Sequence, residues 1–157
     1  MSRKEQLGAR RLALLAGMVL LAWIAASCGG LGPQTRLVSK SQKIASGEVS
    51  IAAGQAVDYR IEIPEGMVEP TLLGTFTASG GTGNDVTAAV ADQVNYANWI
   101  NGHQATVMWQ TAGQQSAGRF ELKLSPGTYT FGISNKFSTF SDKKVALDVE
   151  LKYRLKE

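Results

Sequence analysis

Cysteine and histidine are almost missing from this chain of 157 residues: it holds one of each, Cys28 and His103, and only four prolines. A single thiol closes no disulfide within the chain, so packing and not cross-linking must hold the fold. One cysteine and one histidine also give no zinc cluster, and Asn84-Asp85 lacks the spaced carboxylates of a calcium loop, leaving only a site built partly from carbonyls near Asp85 and Asp92. Catalysis through His103 would need a nucleophile and an orienting carboxylate, and no nucleophile-elbow spacing supplies them. The glycine-rich GGTGN run at 80–84 is followed by no Gly-Lys-Ser/Thr and leads into a strand pattern, which excludes a phosphate loop. No cofactor and no metal are expected. An excess of one charge is lacking too. Four of the 16 basic residues and one of the 13 acidic ones lie in the first 27, so residues 28–157 hold twelve of each sign. A neutral body has no basic face for phosphates, and nucleic acid is not an expected partner.

What the chain does have is alternation. Phe120, Leu122 and Leu124 alternate with Arg119, Glu121 and Lys123; after Ser125-Pro126-Gly127 the phase resumes at Tyr129, Phe131 and Ile133. Val145, Leu147, Val149, Leu151, Tyr153 and Leu155 form one face of a last run whose other face is polar or small. A period of two puts alternate side chains on opposite sides of a pleated strand. Pro-Gly suits a tight reversal, so the first two runs predict a hairpin with a third strand to follow. Upstream, AVDYRIEIP turns Val57, Tyr59, Ile61 and Ile63 inward, Leu72, Gly74 and Phe76 mark another strand, and 85–92 alternates through Val86, Ala88 and Val90. Shorter strands are expected at 36–40 and 44–51, and one more beginning with Ala105, Val107 and Trp109. Residues 93–103 predict a polar loop with large aromatics, and 112–118 a flexible connection. With no amphipathic helix to cover a one-faced sheet, the cover is expected to be a second sheet: an all-β, two-layer antiparallel β-sandwich of about eight strands, jelly-roll or related, over residues 35–157.

The leader differs from that body. MSRKEQLGARRLALLAGMVLLAWIAASC begins basic, runs apolar over 12–24, and ends in Ala25, Ala26 and Ser27 before Cys28. This is the plan of a secretory signal peptide. About 16 apolar or small residues span roughly 24 Å as a helix, short of the ~30 Å needed by an uncleaved anchor, which is the alternative. Small residues followed at once by cysteine resemble the lipobox of bacterial lipoproteins. The resemblance implies cleavage after residue 27, lipidation of Cys28, and a tether over 28–34 that carries Gly29, Gly30, Gly32 and Pro33. Gly29 stands where an aspartate retains such proteins in the inner membrane, so an outer-membrane location is expected in a two-membrane cell.

Residues 72–151 show a further order. Gly80-Gly81 leads to Asn84-Asp85; Gly127, Tyr129 and Phe131 form a GxYxF run; Ser134-Asn135, Phe137-Ser138 and Lys144-Val145 follow. This resembles the GOLD (Golgi dynamics) domain, the lumenal part of cargo receptors. Gly132 stands where the eukaryotic pattern places a disulfide cysteine, and no apolar span follows Leu155. The resemblance therefore implies a non-enzymatic sandwich that binds protein or lipid, without the vesicle-traffic role.

Candidate contact residues fall in two stretches: Tyr96, Asn98, Trp99, Asn101 and His103, and Asn135, Lys136 and Phe137. Rings beside amides suit either a protein partner or stacking on sugars. Trp109, in phase with Val107, is expected in the core, while Trp99 reads as either a contact or a cap on the sandwich edge, and Phe137 and Phe140 as either contacts or lids over the core. The expected function is a membrane-anchored envelope lipoprotein acting as a protein- or lipid-headgroup-binding module. A carbohydrate-binding module for envelope polysaccharide is the alternative, and a hydrolase using His103 a distant third.

Overall fold

The computed structural model describes residues 35–81 and 83–157; the leader, Cys28 and the tether over 28–34 lie outside them. The elements are β1 (Leu37–Ile51), β2 (Ala56–Ile63), β3 (Val68–Ser79), β4 (Thr87–Asp92), α1 (Gln93–Ile100), β5 (Trp109–Gln110), β6 (Ala117–Lys123), β7 (Gly127–Ser134) and β8 (Lys143–Lys156). They form two four-stranded sheets, ordered β1-β8-β3-β6 and β2-β7-β4-β5, with every pairing antiparallel. The chain is an all-β sandwich, and this strand order is the jelly-roll path, in which every connection except β4 to β5 crosses between sheets.

The expected hairpin over 119–133 is therefore not one. β6 pairs with β3, whereas β7 pairs with β2 and β4, so Ser125-Pro126 carries the chain from one sheet to the other. Alternation cannot separate two neighbours in one sheet from two strands facing each other across a core, because both arrangements leave one dry face per strand. The N-terminal pair of short strands is likewise one fifteen-residue strand, β1, broken only by a register shift between Lys43 and Ala45.

The dry faces meet as the alternation requires. Ile61, Ile63, Phe131, Ile133, Ala88 and Val90 from one sheet oppose Leu72, Phe76, Val145, Leu147, Val149 and Leu151 from the other. Aromatic rings bridge the layers, Phe120 to Phe131 at 5.3 Å and Phe120 to Trp109 at 4.8 Å, and Tyr59 stacks on Phe131 within its own sheet at 6.2 Å. Trp109 thus packs against the core. Two glycines make the room. A Cβ on Gly74 would sit 2.1 Å from Phe120 Cζ, and one on Gly118 would sit 2.3 Å from Phe76 Cε1.

Residues 93–103 also depart from the expected loop: the first eight form helix α1 on the outer face of the β2-β7-β4-β5 sheet. Asp92 caps it, its carboxylate accepting from the Asn95 backbone N–H at 2.9 Å and from Asn95 Nδ2 at 2.6 Å. Those bonds hold the Asp92 carboxyl below the usual carboxylate range. Beneath the helix the sheet carries Ala89, Ala91 and Gly132, all buried. β4 is consequently dry on both faces, which its alternation did not foretell. The strand expected from Ala105 shrinks to Trp109–Gln110 because Asn95 Oδ1 takes the Thr106 N–H at 2.9 Å, tying the returning chain to α1 instead of to the sheet.

Candidate functional site

Gly132 organises the site from below. It is the position that the GOLD resemblance marks by an absent cysteine, and the Tyr96 ring fills the space. A Cβ there would lie 2.3 Å from Tyr96 Cε2 and 2.4 Å from its Oη. Tyr96 in turn backs Trp99, with ring centroids 5.9 Å apart and a 33° tilt. The Tyr96 hydroxyl is pushed up to about 12, first by burial and then by the Asp58 carboxylate. A raised value in the folded state means that the unfolded chain gives up this proton first. The contribution is intact below pH 10.0 and is lost as pH rises towards about 12. Spectrophotometric titration is expected to show one tyrosine ionising near that upper value. In Gly132→Val, which expels the ring, it returns towards 10.0, with a loss of about 1–3 kcal/mol for the overpacked seat.

Above this base lies a cleft of about 470 Å³, walled by the C-terminal turn of α1, by the 110–114 loop and by the chain leaving β7. Trp99, Phe137, Lys136, Gln110 and Gln114 line it, with Thr111 below; none of its lining residues is acidic. Lys136 Nζ donates to the Ile100 carbonyl at 3.0 Å, latching the β7 exit to the end of the helix. The two candidate stretches, distant in sequence, therefore meet. The cleft sits at the end of the sandwich opposite the start of β1. Leu37 pairs with Lys156, whereas Ile51, bonded to Asn135, pairs with Lys143. At about 3.3 Å per residue, β1 separates these two ends by about 45 Å.

The remaining candidates take other places. Asn135 is fully buried: its Nδ2 donates to the carbonyls of Ile51, Ala52 and Ser141 at 3.2, 3.2 and 2.8 Å, which stitches three segments together below the surface. It holds the loop from below and does not line the cleft. Asn101 ends α1, its Nδ2 donating to the Ala97 carbonyl, and the Asn98 carbonyl accepts from the Asn101 and His103 backbone N–H groups. His103 is exposed and does not line the cleft. Phe137 is 39% exposed and Phe140 93%, so neither is a lid over the core. Among the described residues no three His, Cys, Asp or Glu side chains converge as a metal site would require.

Gln110, Thr111 and Gln114 were invisible as site residues, since 112–118 reads as a plain polar connection. The helix left a fainter signal. Asp92 is a good cap, and Tyr96, Trp99 and Ile100 recur at helical spacing, but Val94 breaks the stripe and is 71% exposed.

No protein-family model matches the chain, and no curated protein matches it. Among solved structures it is similar to a chain from the work described as "Bacillus endospore appendages form a novel family of disulfide-linked pili", at 15% identity, over 82% of this chain and 96% of that one, with a TM-score of 0.47.

Proposed function

We propose that this chain is an exported bacterial lipoprotein, held to an envelope membrane through Cys28, whose sandwich binds a ligand in the Trp99–Phe137 cleft without transforming it. One observation carries the reading. Two aromatic side chains, two amides and one ammonium from three separate segments line a single cleft of ligand-binding size. The lipobox-like end of the leader supports the anchor, and by the same resemblance the outer membrane is the expected location in a two-membrane cell. The GOLD-like order of motifs supports a binding role over an enzymatic one.

Photo-crosslinking in living cells tests the reading. A photoreactive amino acid at Gln114 is expected to give an adduct, whereas the same group at Glu62, at the other end of the sandwich, gives none. Equal labelling from both positions, or none from Gln114, overturns the cleft as the binding site. For the anchor, Cys28→Ser is expected to abolish incorporation of a clickable fatty acid; labelling that persists removes lipidation from the proposal.

A further inference from the structure

We infer that the cleft recognises an acidic saccharide, a polysaccharide segment whose sugar carries a carboxylate; this rests on the binding reading above and specifies its ligand. The composition of the walls sets the class. Trp99 and Phe137 present rings at the cleft surface, and such faces pack on the apolar faces of pyranose rings with little loss of side-chain freedom. Trp99 is stiffened from behind, since Tyr96 supports it and Gly132 seats Tyr96. The ring is therefore held in place before a ligand arrives, which lowers the ordering cost of binding.

The side-chain amides of Gln110 and Gln114 line the cleft and have no hydrogen-bond partner among the described residues. Each offers a donor and an acceptor side by side, the pair that a vicinal diol needs. Lys136 fixes the charge. Its ammonium spends one N–H on the Ile100 carbonyl, pairs with no carboxylate among the described residues, and faces a cleft with no acidic lining. A neutral glycan would leave that cation without a counter-charge, whereas a uronate would supply it. A flat protein face fits less well, because a stable protein interface needs about 800 Å² a side.

The test uses the full-length chain in detergent micelles and calorimetric titration with oligogalacturonate, oligomannuronate and hyaluronate oligosaccharides, each beside its carboxyl-methylated, neutral form. At least one acid form is expected to bind about tenfold or more tightly than its neutral counterpart. Lys136→Gln is expected to erase that difference while leaving the weaker neutral binding. Trp99→Ala is expected to weaken both forms by about tenfold or more. Lys136 is exposed and Trp99 half-buried, and unchanged thermal unfolding of each variant shows that the fold persists. Equal affinity for acid and neutral forms overturns the inference. So does binding to phosphatidylglycerol vesicles, dependent on Lys136, in the absence of any oligosaccharide binding. Failure of the whole panel with cross-linking from Gln114 intact sinks the acidic-saccharide assignment alone; failure of both sinks the cleft reading as well.

Discussion

Phe131→Ala is expected to destabilise the domain by about 3–5 kcal/mol, read as a lower midpoint in urea with an unchanged slope. Phe131 is fully buried and stands between the sheets, in ring contact with Phe120 on one side and Tyr59 on the other. Truncation removes the transfer energy of the ring and leaves a hole. Its lining cannot collapse easily, because Phe120 is already pressed against Gly74 and Trp109. A domain of this size has about 5–15 kcal/mol in total, so the change removes a large share. Phe131→Leu, which keeps most of the volume, is expected to recover over half of the loss. A cost under about 1 kcal/mol for the alanine variant would mean that the sheets do not close around this ring.

Asp85→Ala is expected to cost about 1.5–3 kcal/mol, the range for losing a hydrogen bond to a charged group. Lys143 is buried to within 1% of its side-chain surface at the start of β8, and its Nζ lies 3.1 Å from Asp85 Oδ1. The asymmetry of exposure gives the prediction its sign. The Asp85 side chain keeps 20% of its surface and can be hydrated when the lysine is gone, so Lys143→Met is expected to cost less than Asp85→Ala. Removing the acid instead takes one partner from an ammonium that water cannot reach. The two chemical denaturation curves, run together, decide the point; equal losses would show that the lysine is hydrated in solution. The pair also bears on the geometry of the cleft. It pins the glycine-rich turn at 80–84 to the start of β8, at the same end of the sandwich as Asn135 and the loop that carries Lys136 and Phe137 into the cleft.

The alternation of apolar residues by itself determined that this is a sandwich. β2, β3, β7 and β8 show their dry faces in the order of their residues, because period two is a local property of extended backbone and survives any choice of neighbour. The turn at 80–84 was legible for a similar reason: Gly80, Gly81, Gly83 and Asn84 all take positive φ, a demand that composition reveals directly. Which strand lies beside which was not legible, and Ser125-Pro126-Gly127 shows why, since a corner between sheets and a reversal within one use the same residues. Nor could the helix be foreseen from its own stretch alone. α1 is stabilised by small residues on the sheet beneath it, Ala89 and Ala91 of the preceding β4 and Gly132 of the distant β7, and the role of Gly132 exists only once Tyr96 lies on it.

The same division holds for the site. The sequence placed rings and amides in two stretches, around Trp99 and around Phe137, since those side chains are unusual in an otherwise alternating chain. Tertiary structure alone decided that the stretches share one cleft, that Gln110 and Gln114 complete it, and that Asn135 is a buried brace. Local patterning records how each segment divides itself between water and core. The meeting of segments more than thirty residues apart depends on strand pairing, which is settled by how the two whole sheets close over their common core.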